Sequence, residues 1–153
     1  MPKRSTNAIT AWESLFRAQV TVLRQLNREF PGGELSFTEY DVLFNLSRQK
    51  DHRLRIRDLN RHLLLTQPSV SRMVDRLAAR GVVRKESDPG DGRGTFVVLT
   101  EEGYALFRRV AVAHAASITR YVGGALSEEE LEQLTILTEK LRAGVDPAST
   151  GRA

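Results

Sequence analysis

The spacing of the apolar residues changes in the middle of the chain, and this change limits the folds open to the sequence. From Ile56 to Leu77 the apolar residues recur every three or four positions, as in helices, whereas Val82–Glu86 and Thr95–Leu99 have the shorter period of strands. Thr66 is a good N-cap, and Gly81 is typical of the residue after a helix end. The pattern predicts a short helix, a tight turn, a second helix from about 67 to 80 and a β-hairpin.

The loop of the predicted hairpin, Ser87–Gly94, holds three glycines around one arginine, Arg93. Glycine-rich loops that bind phosphate run from a strand into a helix, whereas this loop runs from strand to strand and lacks the lysine and the serine or threonine of a Walker motif. A hairpin beside a helix-turn-helix is a wing, and an arginine at its tip is suited to a narrow minor groove of DNA. The alternative is a solvent-exposed loop in which Arg93 has no such role.

Amphipathic helices are predicted on both sides of this central segment. The first is capped by Asn7 and runs for about 22 residues to the break at Pro31–Gly33. Capping boxes at Ser36–Glu39 and Ser127–Glu130 open the helix that follows this break and the last helix of the chain. Thr100 caps the helix that follows the hairpin. The predicted fold class is mainly α with a small β-hairpin.

The composition argues against several classes of protein. The sequence has no cysteine, which excludes disulfides, thiol nucleophiles, cysteine metal sites and thiol-based redox sensing. No apolar run is long enough to span a bilayer and no signal peptide opens the chain, so we expect a cytoplasmic protein without membrane contact. His52, His62 and His114 are far apart and have no metal-ligand or general-base spacing. We therefore predict no catalytic residue, no metal and no cofactor, and we do not expect an enzyme.

Positive charge is concentrated in the middle third of the chain. The whole chain has a net charge of +4, whereas residues 53–93 alone contain ten basic and five acidic residues. A local excess of this kind is expected of a protein that binds the DNA backbone. The alternative is the solvated face of a basic protein.

One face of the predicted second helix is suited to the DNA major groove. At 100° per residue, the apolar residues of this helix share one face, which we expect to be buried; they are Val70, Met73, Val74 and Leu77. The opposite side is small, polar and basic; it carries Pro68, Ser69, Ser71, Arg72, Asp75, Arg76 and Ala79. Serine can donate to phosphate and arginine can pair with guanine, although the two arginines would also suit a merely solvated helix. We expect Asp75 to pair with Arg72, one turn away.

The segment LLLTQPSVSRMVDRLAARGVVRKESDPGDGRGTFVVLTEEG resembles the winged helix-turn-helix core of MarR-type bacterial transcription regulators. The wing signature of that family is Asp-x-Arg, a strand, and then Leu-Thr-x-x-Gly. It is matched with its spacing intact at Asp91, Arg93, Val97, Leu99, Thr100 and Gly103.

The predicted second helix also resembles the family's recognition helix, with two departures. The pattern Ser-x-x-Ser-Arg-x-Val-Asp-Arg-Leu is matched over residues 68–77 except at its first serine, which is Pro68 here. The turn glycine that is common in the family is Leu64 here. The stretch LSFTEYDVL resembles the family's second helix, so the resemblance covers nearly the whole chain.

The resemblance implies that different parts of the chain bind DNA and form the dimer. Residues 36–100 would form the winged helix-turn-helix domain, flanked by N- and C-terminal dimerisation helices in residues 1–35 and 101–145, with a mobile tail at 146–153. Its implied partners are double-stranded DNA with a pseudo-palindromic operator, and a second copy of the chain. The residues expected to contact DNA are Arg57, Thr66, Gln67, Pro68, Ser69, Ser71, Arg72, Arg76, Asp91 and Arg93.

The resemblance also implies regulation by a small molecule. Many members of the family are repressors that are released by aromatic or anionic organic ligands. By that analogy Trp12 and Phe16 would line the effector pocket, and the alternative is that both side chains belong to the dimer core. Two other functions stay open, a winged-helix module that binds proteins and a DNA-binding protein without an effector.

Overall fold

Six α-helices and three short strands make up the described part of the chain. The computed structural model describes residues 3–63 and 70–146, except for the side chains of Lys3, Arg4 and His62. The helices are α1 (Lys3–Glu29), α2 (Phe37–Ser47), α3 (Ile56–His62), α4 (Val70–Ala79), α5 (Glu101–Ile118) and α6 (Glu128–Val145). The strands are β1 (Arg53–Arg55), β2 (Val83–Ser87) and β3 (Thr95–Leu99), and a π-helical turn over Thr119–Gly123 follows α5. The predicted mainly α fold is confirmed.

The chain divides into two compact units. One consists of residues 25–115, and the other of residues 1–24 together with residues 116–153. The boundaries that the sequence predicts for a DNA-binding and a dimerisation region concern function, and they remain a prediction. In the described ranges, no helix is both long enough and apolar enough to cross a membrane.

The two predicted capping boxes are confirmed, whereas the predicted start of α1 is wrong. The Ser36 hydroxyl accepts from the Glu39 amide at 3.1 Å, and the Glu39 carboxylate accepts from the Ser36 amide at 2.9 Å. Ser127 and Glu130 form the same reciprocal pair at the start of α6. Asn7 lies inside α1 instead of capping it. An asparagine cap contributes only about 1 kcal/mol, which does not stop a helix whose preceding residues are also compatible with it.

The core of the 25–115 unit is an apolar cluster to which α2, α3, α4, β2, β3 and α5 contribute. The buried apolar residues of the cluster are Leu35, Tyr40, Val42, Leu43, Leu46, Leu59, Val70, Met73, Val74, Leu77, Val82, Val83, Val97, Leu99, Leu106 and Val110. The four apolar residues of α4 are all among them, as the helical spacing predicts. Burial of each such side chain contributes about 1.5–3 kcal/mol, so this face holds α4 firmly against the core and turns its polar face outward.

The sheet has three strands, one more than the sequence predicts. The strand order is β1-β3-β2, and both pairings are antiparallel. The missed strand, β1, is only three residues long and two of them are arginines, so its own hydrophobic pattern is too short to indicate a strand. Tertiary pairing forms it, with Arg55 opposite Phe96 and Arg53 opposite Val98. This pairing attaches the segment before α3 to the wing.

The first turn of α5 is joined tightly to the end of α4. The Thr100 hydroxyl donates to the carbonyl of Gly81 at 2.7 Å and accepts from the Gly103 amide at 3.0 Å, while the Thr100 amide donates to the carbonyl of Val82 at 3.2 Å. Gly81 has φ 74°, the left-handed conformation expected of a glycine that ends a helix. A Cβ at Gly103 would lie 1.9 Å from the Val82 carbonyl oxygen, so only glycine allows this approach.

His114 lies in a cage of aromatic rings inside the 25–115 unit. The rings of Tyr40, Phe30 and Phe37 meet it edge-on, with centroids at 5.1, 5.3 and 5.6 Å. The side chain is buried, and its Nδ1 has no hydrogen-bond partner among the described residues. Burial lowers the pKa of His114 because the charged form is disfavoured away from water. The histidine is therefore a neutral core residue at neutral pH.

Gly103→Ala is expected to destabilise the protein by about 3 kcal/mol or more, because the new methyl group would overlap backbone atoms that cannot move independently. Urea unfolding followed by circular dichroism measures the change. Gly144→Ala in α6 is the matched control, since a Cβ there meets no atom within 4 Å. We expect it to be neutral or stabilising by about 0.5–1 kcal/mol. Equal effects of the two substitutions would contradict the proposed steric role of Gly103.

His114 is expected to make stability fall on mild acidification. Its folded-state pKa is lowered, so above pH 6.5, the ordinary pKa of histidine, neither the folded nor the unfolded state is protonated and the contribution is constant. As the pH falls below that value, the unfolded state binds the proton first and the free energy of unfolding decreases. Comparing wild type with His114→Phe over this range cancels the carboxylate contributions. A difference that does not change with pH would contradict the assignment.

Candidate nucleic-acid interface

The outward face of α4 is small, polar and basic. Ser71, Arg72, Asp75, Arg76 and Ala79 are all exposed, on the side opposite the buried apolar residues. Among the described residues, neither Arg72 nor Arg76 has an ion-pair partner. Both guanidinium groups are therefore free to pair with an acceptor outside the chain, and this face has no bulky apolar side chain to hold such a partner away.

Asp75 does not pair with Arg72 as expected from the sequence. Its Oδ1 accepts from the Lys85 Nζ at 2.6 Å instead. Lys85 lies on β2, ten residues further along the chain, and only the tertiary fold brings it beside α4. The ion pair connects α4 directly to the hairpin, and within the described ranges it leaves the Arg72 guanidinium without an acidic partner.

The wing loop has a defined conformation that is built on two aspartates. The Asp91 carboxylate accepts from the Arg93 amide at 3.1 Å, so Asp91 holds the turn around Arg93. The Asp88 amide donates to the Gly94 carbonyl at 3.0 Å, and the Gly94 amide donates to the backbone carbonyl of Asp91 at 2.8 Å. A Cβ at Gly94 would lie 3.0 Å from the Asp88 Cβ, so this glycine makes room for the aspartate. Arg93 itself is exposed.

A nearly buried ion pair joins the wing to β1. The Nε of Arg55 lies 2.6 Å from Oδ2 of Asp88, whose side chain is only 3% exposed. Oδ1 of Asp88 accepts from the Gly90 amide at 2.9 Å. This amide, together with the charges of Arg55 and Arg57, holds the pKa of Asp88 below its usual range, against the opposing effect of burial. Asp88 is therefore ionised at neutral pH and fixes both the loop and the arginine.

Phe96 carries two arginines on one face of the sheet. The guanidinium carbon of Arg53 lies 4.6 Å from the centre of the Phe96 ring, and that of Arg55 lies 5.4 Å away. Arginine stacked on an aromatic face keeps its charge and loses rotamer freedom before it meets a ligand. The strand pairing of β1 with β3 produces this stack, because it sets Arg55 directly opposite Phe96.

Three arginines meet in a cleft between the start of α3 and the wing, which we call the wing-root cleft. It has a volume of about 280 Å³ and is lined by Arg55, Ile56, Arg57, Asp91, Arg93, Gly94 and Thr95. Three positive charges and one negative charge line it, so its field favours an anion. Sequence reasoning selected Arg57, Asp91 and Arg93 but missed Arg55 and Asp88, because the pairing of β1 with the wing was not foreseen. The alternation Arg53-Leu54-Arg55 was the available signal.

The other predicted site residues fall in two places. Thr66, Gln67, Pro68 and Ser69 lie outside the described residues. Trp12 and Phe16 lie on α1 in the unit formed by residues 1–24 and 116–153, with ring centroids 6.0 Å apart. Both rings are more than half exposed. They border a groove of about 580 Å³ along α1, beside Arg17 and Arg24.

Acidic and histidine side chains do not gather into a metal site in the described parts of the chain. There, no three of them come close enough to hold an ion.

Comparisons with known proteins point in one direction. The model of the MarR family matches residues 34–94. The HTH-type transcriptional regulator MhqR of Bacillus subtilis is 30% identical over 127 residues, which cover 83% of this chain and 86% of that protein.

Solved structures resemble the whole chain. Sco3205, a MarR family transcriptional regulator from Streptomyces coelicolor whose crystal structure is in complex with DNA, has 29% identity and a TM-score of 0.76 over 94% of this chain and 91% of that chain. BpsR of Bordetella bronchiseptica, whose DNA binding is regulated by 6-hydroxynicotinic acid, has 26% identity and a TM-score of 0.72 over 86% of this chain and 98% of that chain. With its winged helix-turn-helix and these relatives, the chain belongs to the MarR family of DNA-binding transcriptional regulators.

Proposed function

We propose that the protein is a sequence-specific regulator that binds double-stranded DNA as a homodimer and represses transcription until a small organic ligand releases it. The observation that carries the DNA-binding part is that α4 and the hairpin lie side by side, in contact through the Asp75–Lys85 ion pair at 2.6 Å. A recognition helix thus lies beside a wing, with Arg72 and Arg76 exposed on α4 and Arg93 exposed in the wing. The complex of Sco3205 with DNA supports this assignment.

In this proposal, α4 and the wing contact different grooves of the DNA. Arg72 and Arg76 of α4 meet base edges in the major groove, where arginine pairs bidentately with guanine, and Ser71 donates to the backbone. Arg93 meets a narrow minor groove, where the negative potential is enhanced. Arg57 and Asp91 support the wing side of the interface, and the undescribed residues Thr66, Gln67, Pro68 and Ser69 belong to the proposed contact set on the sequence pattern alone.

A second copy of the chain is the proposed partner of α6. None of the 18 residues of α6 is buried, although its sequence is amphipathic. Leu134, Leu137, Leu141 and Val145 recur at helical spacing and are all exposed. A soluble chain rarely leaves such an apolar stripe in water, and a homodimer with two-fold symmetry covers it with the same helix of its partner.

The proposed effector is a small aromatic or anionic molecule. The regulation of BpsR by 6-hydroxynicotinic acid supports this class of ligand. The groove beside Trp12 and Phe16 offers exposed rings next to the guanidinium groups of Arg17 and Arg24, which suits an aromatic acid. The same two rings also suit a dimer core, and both uses remain proposals.

The proposal excludes catalysis and places the protein in the cytoplasm, where bacterial DNA is found.

A winged helix that only binds proteins is the second candidate, since such modules share the fold. The salt dependence of binding to duplex DNA distinguishes the two candidates. For a DNA-binding protein, the logarithm of the association constant falls steeply with the logarithm of the salt concentration. A DNA-binding protein without an effector is distinguished by its failure to respond to any aromatic acid.

Arg72→Ala is expected to weaken binding to a selected operator by about 1–3 kcal/mol and to relax one position of the site, because one bidentate base contact is lost. The operator comes from selection among genomic fragments, and fluorescence anisotropy measures the affinities. Arg93→Ala should lower affinity and leave the major-groove preferences unchanged.

Arg108→Ala is the control for both, since Arg108 is an exposed arginine of α5 outside α4 and the wing. If no sequence is enriched over random duplex, the proposal of a specific regulator is wrong. An enriched operator also serves to screen aromatic acids for release.

Leu137→Glu is expected to weaken dimerisation at least tenfold, because a carboxylate in an apolar interface must be desolvated without a partner; tenfold corresponds to about 1.4 kcal/mol. Analytical ultracentrifugation measures the dimer dissociation constant. Ala143→Glu adds the same charge on the opposite side of the same helix, where residue 143 is exposed, and should leave it unchanged. A wild-type chain that is monomeric at micromolar concentration would contradict the proposed homodimer.

A further inference from the structure

The wing-root cleft contains an arginine whose position is fixed before any ligand arrives. The Nε of Arg55 is buried against Asp88 at 2.6 Å, and its guanidinium carbon lies 5.4 Å from the centre of the Phe96 ring. Asp88 is held in turn by the Gly90 amide. One edge of the guanidinium is therefore committed to the protein, and the two terminal nitrogens remain for the cleft.

The composition of the cleft selects the kind of ligand. Arg57 and Arg93 line the same space as Arg55, and both are exposed. Asp91, the acid of the lining, is engaged with the Arg93 amide. A guanidinium fork matches the oxygens of a phosphate bidentately, whereas a neutral organic ligand would leave the excess positive charge of the cleft uncompensated.

The place of the cleft in the fold selects the source of that ligand. The cleft lies between the wing and the start of α3, and the wing is the element proposed to reach the minor groove. The DNA backbone borders that groove on both sides, so a wing whose tip enters it brings its own root beside a phosphate. A contact there would hold the register of the wing on the duplex.

We propose that the wing-root cleft binds one phosphate group of the DNA backbone, with Arg55 as its bidentate ligand and Asp88 as the residue that positions Arg55. This inference rests on the proposed DNA-binding function, and it adds Arg55 and Asp88 to the residues that perform it. Arg57 and Arg93 supply the remaining positive charge.

Arg55→Lys tests the proposal with the charge retained. A lysine has a single nitrogen, so one that pairs with Asp88 cannot also grip the phosphate as a fork does. We expect operator affinity to fall about tenfold, with the unfolding midpoint close to that of wild type. Arg84→Lys is the matched control, because Arg84 also pairs with an acid, Glu86 at 2.9 Å, and does not line the cleft.

Duplexes with one neutral methylphosphonate each identify the phosphate. In the wild type, one position per half-site should weaken binding by about the factor that Arg55→Lys causes. In Arg55→Lys, the same position should have no further effect. A merely structural role for Arg55 would lower affinity for every duplex equally and leave all positions uncoupled.

A second arm tests the cleft without DNA. Inorganic pyrophosphate is titrated into the full chain and followed by ³¹P NMR, and Arg55→Lys should bind it more weakly than wild type. Binding that depends on Arg55, without any coupled methylphosphonate position, would support the phosphate site and overturn its assignment to the DNA backbone. If neither arm depends on Arg55, the site does not exist. Because this arm needs no operator, it remains decisive even if specific DNA binding fails.

Discussion

The close approach of Gly103 to the carbonyl of Val82 is the constraint on which the rest of the 25–115 unit depends. It lets the first turn of α5 lie against the chain as that chain leaves α4 and enters β2, and Thr100 ties the three elements with one hydroxyl and one amide. A side chain at residue 103 would separate them. Because the end of α4 and the start of β2 share this support, α5 cannot tilt within the unit without moving the recognition helix and the wing. The Leu-Thr-x-x-Gly signature thus supplies the threonine and the glycine that hold α5 against the end of α4 and the start of β2.

Two ion pairs complete the arrangement of the interface, and they act at different depths. The exposed pair of Asp75 with Lys85 joins α4 to the hairpin at the surface, where solvent screens it and its contribution to stability is small. The pair of Arg55 with Asp88 is nearly buried at its acidic end and is reinforced by a backbone amide, so it defines the conformation of the wing loop. In both cases one partner lies on the sheet, so the short strands organise the charges of the interface. The arginines on α4 and at the wing tip take part in neither pair, and together with Arg55 they are among the residues proposed to contact DNA.

Much of the fold could be predicted from the sequence because its signals are local. Periodicity gave the buried face of α4, and cap chemistry gave the starts of α2 and α6. The misses share a physical cause, which is that tertiary contacts decided them. β1 exists only because β3 pairs with it. Asp75 pairs with Lys85, which the fold brings beside it and which local helical spacing could not predict as its partner. The same lack of long-range information hid Arg55, although the alternation of residues 53–55 was visible.

The division of the chain into two units has a consequence for the order in which it folds. Residues 25–115 are contiguous, so every contact of that unit becomes available once its last residue has left the ribosome. The other unit combines residues 1–24 with residues 116–153, and any contact between its two segments must close a loop of some ninety residues. During synthesis the 25–115 unit is therefore complete before the last residues, which share a unit with the first part of α1, have been made.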